Sequence, residues 1–161
     1  MRHFSNLKEL LSGATRIVVV GVGYDLGKDD AVGIEVADLL EGKHPAITPF
    51  KTYTAPENFT KAIVGESPSH VVFVDGAKMG LEPGEIRIIE NDEIKDTSFS
   101  THTMPLTLIS KYVCNRAKAK SVIIGIEPKH FGFCEDRQLS NEVTVAAKTV
   151  ADAILAVFND V

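Results

Sequence analysis

Three short apolar runs constrain this chain more than anything else in it. They are RIVVV (16–20), HVVFVD (70–75) and SVIIGIE (121–127). All three are rich in β-branched residues, and none shows the polar–apolar alternation of a half-solvated strand. Such runs suit strands covered on both faces. Stretches with helical spacing lie between them. Parallel neighbours need a crossover connection, which a helix supplies, so the expected fold is α/β, a mostly parallel sheet with helices on both faces.

The remaining elements fill that frame. Residues 5–12 read as a short amphipathic helix, with Ser5 as its cap and Gly13 as its stop. Asp29 or Asp30 caps a helix whose apolar face is Val32, Val36, Leu39 and Leu40. ITPFKTYT (47–54) is a strand near an edge, because Pro49 interrupts it. Pro56 opens a helix over 57–64, and GEIRIIE (84–90) is a more exposed strand after the Pro83–Gly84 turn. Residues 92–103 are polar and loop-like, and Pro105 opens a helix over 106–118. The last helix, 140–158, turns Val143, Ala146, Ala147, Val150, Ile154 and Val157 inward.

Length and composition set the class. The 161 residues fit one domain, 1–161, without repeats, low-complexity tracts or a linker. A net charge of −5 argues against nucleic acid or an anionic membrane as partner, and no apolar run is long enough to span a bilayer. The N-terminal MRHFSNLKELLSGATR lacks an apolar core, so no signal peptide is expected there. Cys114 and Cys134 form no CxxC pair, in keeping with a reduced, cytoplasmic setting.

In open sheets of this kind, ligands bind beyond the carboxyl ends of the strands. Asp30 follows the first buried strand, Asp75 closes the second, and His102 precedes a helix start. Two carboxylates and one imidazole can hold a metal and still leave positions open, which suits an enzyme site better than a structural one. Bland alternatives stand beside each. Asp29 and Asp30 can serve as helix caps, Asp75 can form an Asx turn, and His130 competes with His102 because it too follows a strand at the correct end. His70 lies at the opposite end, and His3 and His44 are peripheral.

Other motifs carry less. GVGYDLG lacks the third glycine of a dinucleotide loop, with Leu26 in its place, and Lys28 is followed by Asp29 where a phosphate-binding loop needs Ser or Thr. Cys114 falls within a helix and reads as core. Cys134 is loop-borne, and a Cys134–His130 nucleophile pair has no supporting spacing.

Several blocks in order give a resemblance: GVG…DDAVG, TAPEN, VVFVDGAKMGLEPGEIRII, STHTMPL and IIGIEP…GF. With these the chain resembles the hydrogenase maturation endopeptidases, most closely those of hydrogenase 3-type nickel–iron enzymes, over roughly residues 16–155. The resemblance implies a three-layer α/β/α sandwich around a twisted five-stranded sheet. It also implies a metal site of Asp30, Asp75 and His102, favouring Asp30 over Asp29 and His102 over His130. The chain departs from the family at Tyr24, where asparagine is usual, at the extra acid Asp25, and at Ala31, where glycine is common.

The implied activity is an aspartic-type endopeptidase that removes the C-terminal extension of a nickel–iron hydrogenase large-subunit precursor after nickel insertion. The nickel is supplied by that substrate and serves as the recognition element. The protein is expected to act as a monomer, with Asp30 and Asp75 as the catalytic carboxylates. Two mechanisms stay open: a metal-activated water, or a carboxylate general base. No Ser-His-Asp arrangement or HExxH helix supports another protease class. Two alternatives remain, a receiver-like domain phosphorylated on Asp75 with Asp29 and Asp30 holding magnesium, and a non-cleaving nickel-dependent binding module for the large subunit.

Overall fold

The computed structural model describes residues 1–90, 98–99 and 105–159. Five strands make the body of the sheet: β2 (Ile17–Val22), β3 (Ile47–Tyr53), β4 (His70–Lys78), β5 (Ile86–Ile89) and β7 (Lys120–Ile126). Two short strands extend it, β1 (Arg2–His3) beyond β5 and β6 (Ser98–Phe99) against the end of β4. The spatial order is β1-β5-β7-β4-β2-β3. The pairs β3–β2, β2–β4 and β4–β7 are parallel, whereas β5 runs antiparallel to β7 and β1 antiparallel to β5. The three β-branched runs occupy the adjacent central positions. Proline-bearing β3 takes an edge, where a missing backbone donor costs least.

Strand periodicity divides the core in two. Ile17 and Val19 of β2, Val72 and Val74 of β4, and Val122, Ile124 and Ile126 of β7 face one side. There they meet α1 (Leu7–Leu10), α2 (Val32–Leu40) and α5 (Asn141–Asn159). Val18, Val20 and Val22, then Val71, Phe73 and Ala77, and Ile123 face the other side, towards α3 (Thr60–Gly65) and α4 (Leu106–Ala117). The result is the expected three-layer sandwich. Within α5, Val143, Ala146, Ala147, Val150 and Ile154 are buried as the spacing predicts, and Val157 is partly covered.

Local differences have physical causes. The expected helix over 5–12 is a 3-10 turn, Phe4–Asn6, followed by the four-residue α1, and Ser5 lies inside the turn without capping it. The helix expected from 57 begins as a 3-10 turn, Pro56–Phe59. Neither Asp29 nor Asp30 caps α2. They form a 3-10 turn, Asp29–Ala31, whose N–H groups at Asp30 and Ala31 already donate to the carbonyls of Gly27 and Lys28.

One contact positions the functional end. A methyl group on Gly33 would sit 2.3 Å from the carbonyl oxygens of both Val22 and Val74. One on Gly21 would sit 2.2 Å from the Gly33 carbonyl oxygen. The first turn of α2 therefore rests directly on the backbone of the sheet, with no side chain between.

Candidate active site

Asp75 lies in β4, paired in register with Gly125 of β7, and is fully buried. Phe73 and Ala77, two residues to either side, belong to the α3/α4 face, so alternation puts Asp75 on that face as well. The apolar run suggested that the strand ends here. Instead β4 continues to Lys78, with Ala77 and Lys78 paired to Phe99 and Ser98 of β6. Asp75 is thus an acid inside a regular strand, and the Asx-turn reading does not hold.

Asp30 approaches the same strand end from the loop after β2. Gly23 makes the entry possible: its φ is +145°, and a Cβ there would fall 1.8 Å from the Asp30 carbonyl oxygen. Asp30 is 8% exposed, and its Oδ2 accepts the Tyr24 N–H at 3.3 Å. A Cβ on Gly76, next to Asp75, would come into contact with the Asp29 carbonyl oxygen and with Val32. The acid-bearing turn is therefore seated on the carboxyl-terminal part of β4.

Asp29 does different work. Its Oδ2 accepts the N–H groups of Lys129 and His130, both at 2.9 Å, and the Ser140 hydroxyl at 3.0 Å. Its Oδ1 accepts the Ser140 N–H at 2.7 Å, just before α5 begins. A carboxylate at a helix N-terminus is also favoured by the helix dipole. In this way Asp29 clasps the loop after β7 to the turn that bears Asp30.

That loop is braced three times more. The Cys134 N–H donates to the Leu26 carbonyl, and Lys28 bridges to Phe131. Arg137 reaches three acids: Asp25 at 2.7 Å, Glu35 at 2.9 Å and Asp38 at 2.6 Å. Burial works against the Arg137 charge, yet Asp38, Glu35 and Asp25 hold the guanidinium above its ordinary value. Burial likewise raises the Asp38 carboxyl, but hydrogen bonds from Arg137 and Lys51 outweigh it and leave the group below its usual range. The extra acid Asp25 thus has its own partner.

The competing residues take the following places. His130 is exposed, and its backbone anchors Asp29. The Cys134 thiol donates to the Leu26 carbonyl at 3.4 Å. Cys114 is half-buried, and burial pushes its thiol up. His102 lies outside the described residues. Among the described residues no group of three His, Cys, Asp or Glu side chains could hold a metal, and of the expected trio the structure describes Asp30 and Asp75. Two buried carboxylates at a ligand-binding rim are suitable donors for a divalent cation.

Sequence reasoning passed over two residues. Glu127 is buried at the end of the β7 run, as Asp75 is near the end of β4, and the same pattern marks it. Its Oε2 accepts the Met79 N–H at 2.6 Å, and its backbone exchanges hydrogen bonds with Gly84 and Glu85, which anchors the segment after β4. Arg137 had no local signal, because its partners lie about a hundred positions away in sequence. Exposed aromatics mark the same end of the sheet: Tyr24 in the Asp30 loop, Tyr53 at the end of β3, and Phe133 in the clasped loop.

Comparison with known proteins agrees with this architecture. The family model for hydrogenase maturation proteases, HycI, matches residues 50–157. A Methanocaldococcus jannaschii protein assigned as a hydrogenase maturation protease is 33% identical over 96% of this chain and 95% of its own length. The hydrogenase 3 maturation protease of Escherichia coli K12 is 39% identical over about half of each chain. Among solved structures, the nickel–iron hydrogenase maturation protease HycI from Thermococcus kodakarensis superposes with a TM-score of 0.84 and 31% identity, covering 96% of this chain and 99% of that one. Endopeptidase HycI from E. coli gives 0.70 and 30%, over 86% and 88%. The family model over residues 50–157, with a relative 33% identical over 96% of the chain, assigns the chain to the hydrogenase maturation protease family.

Proposed function

We propose that this protein removes the C-terminal extension of a nickel–iron hydrogenase large-subunit precursor once nickel has been inserted. Asp30, Asp75 and His102 would contact the nickel carried by the substrate. Bound there, the metal would supply recognition of the loaded precursor and a Lewis acid. The observation that carries the reading is the pair of buried acids, Asp75 in β4 and Asp30 on the turn seated against it, in a chain that matches the family along its length.

The chemistry of the chain's own residues follows from their setting. In peptide hydrolysis a water oxygen attacks the carbonyl carbon, the C–N bond breaks, and the departing amine takes a proton. A carboxylate within hydrogen-bonding reach of that water can accept its proton and return it to the amine. Asp75 is the stronger candidate for this role, because a strand in mid-sheet fixes its position. Asp30 is oriented through one oxygen by the Tyr24 N–H and suits the docking role. If these contacting groups find their metal only on the substrate, the site is complete only with a loaded precursor, and cutting cannot come before loading.

The test is a mass-spectrometric cleavage assay on the nickel-loaded precursor beside its nickel-free form. Release of one C-terminal fragment from the loaded form alone is the expected result. A stable complex with the loaded form and no cut would mean a binding module instead.

A further inference from the structure

A second feature of the same face is not used by the chemistry above. Between the Pro56–Phe59 turn and the first two turns of α4 runs an open, apolar groove of about 370 Å³, lined by Glu57, Thr60, Leu108, Ile109 and Tyr112. Glu57 is the one charged side chain among these lining residues. Its Oε2 is buried and has no hydrogen-bond partner among the described residues. A carboxylate oxygen removed from water without a donor is costly, and it is best compensated by a donor that brings positive charge. The groove walls meanwhile leave apolar surface in solvent: Leu108 is 55% exposed and Tyr112 is 48% exposed. The Arg116 guanidinium lies 5.3 Å from the Tyr112 ring centroid and steadies that ring from the next turn.

An occupant that suits all of these features has an apolar stem and a cationic head. Arginine and lysine side chains have that form, with methylenes to lie along Leu108, Ile109 and Tyr112 and a charged end for Glu57. The topology places the groove at the working end of the molecule. The 56–59 turn follows the carboxyl end of β3, and α4 starts on the side of the sheet that Asp75 faces. A chain lying in the groove therefore leads towards the site.

We propose that this groove docks a polypeptide segment in which an arginine or lysine sits between apolar residues, with Glu57 as its charge anchor. Resting on the function proposed above, that segment belongs to the precursor outside the scissile bond, and Glu57 determines which precursors are accepted.

The probe is a pair of capped five-residue peptides, alanine–leucine–arginine–leucine–alanine and its counterpart with glutamine for arginine. Binding is read from amide chemical shifts of the full chain. The arginine peptide should move the amides of residues 57–60 and 108–112, and Glu57→Gln should weaken it about tenfold, to the level of the glutamine peptide. With the precursor, Glu57→Gln should raise KM about tenfold and leave kcat unchanged. Leu108→Gln, at an exposed position, tests the same groove should Glu57→Gln fold poorly. Equal binding of the two peptides, or undiminished arginine-peptide binding by Glu57→Gln, overturns the proposal. Arginine-selective, Glu57-dependent binding by a protein that leaves the precursor uncut upholds the groove and refutes the endopeptidase reading alone.

Discussion

The two ends of the sheet both bury polar groups, but they do so differently. At the amino end, Ser69 Oγ accepts the N–H groups of Thr15 and Arg16 and donates to the Arg16 carbonyl. Arg16 also pairs with Glu66, and the Arg16 and Glu66 side chains both reach the Thr48 hydroxyl. These groups answer one another within a few ångströms, while Arg16 Nε and His70 Nε2 beside them are buried without a hydrogen-bond partner among the described residues. At the carboxyl end, the acids are delivered from three separate segments: the loop after β2, strand β4 and the end of β7. That end is held in shape by the bonds that Asp29 and Glu127 accept from backbone N–H groups and from the Ser140 hydroxyl, and by Arg137. The lesson is that burial alone does not mark a functional carboxylate. Asp29 accepts four hydrogen bonds that tie separate segments together, whereas Asp75 is carried by a strand and Asp30 by the turn seated against it.

Asp29 and Asp30 make the same contrast within two adjacent residues, and substitutions can break it. The largest effect is expected from Asp75→Asn and Asp30→Asn, each lowering precursor cleavage by roughly 10²–10⁴-fold with little change in melting temperature. A folded Asp75→Asn protein that cuts at the normal rate would remove it from the chemistry. Asp29→Ala should do the reverse. It leaves three N–H groups and a hydroxyl without their acceptor, so a loss of about 2–4 kcal/mol of stability is expected by denaturant unfolding. Its residual activity per folded molecule should exceed that of Asp30→Asn.

Arg137→Met comes next. Three acids then face one another without their cation, for an expected loss of about 1–2 kcal/mol once solvent screening is allowed for. The pairing also carries a pH signature. Asp38 has a depressed carboxyl, so its contribution is present above the ordinary aspartate value and is lost as pH falls through the lower, folded one. Acid titrations of melting temperature should show a shallower decline in Arg137→Met than in the parent.

The smallest effect is at the amino end. Burial, with Lys120 nearby, holds the His70 imidazole below its ordinary value of 6.5. The unfolded chain then takes up a proton before the folded one does, so stability falls as pH drops below about 6.5. His70→Gln should flatten that part of the melting profile between pH 7.5 and 5.5 and leave cleavage untouched. Altered cleavage would contradict the separation of the two ends.

How much of this was legible beforehand depends on range. Strands β2, β4 and β7 were readable because double-sided burial writes itself into consecutive β-branched residues. The inner face of α5 was readable from its spacing. Asp75 was visible as an acid in an apolar run. The duty of Asp29 was not, because its partners, Lys129, His130 and Ser140, are a hundred or more positions away and two of the three contribute only backbone N–H groups. Arg137 was hidden for the same reason. Glu127 could have been read by the rule that picked out Asp75. The 3-10 turn at Asp29–Ala31 was misread as a capping site because aspartates before an apolar helix look the same in either role.

The bare contact of Gly33 on the backbone of Val22 and Val74 has a consequence for how such a protein can change over generations. A helix that rests on side chains can drift with each repacking of the core. The start of the helix after the Asp30 turn is instead referenced to β2 and β4 through main chain, which holds only while positions 21 and 33 are glycine. Core residues can therefore be exchanged around this contact while the two glycines keep the helix start seated on the strand that carries Asp75.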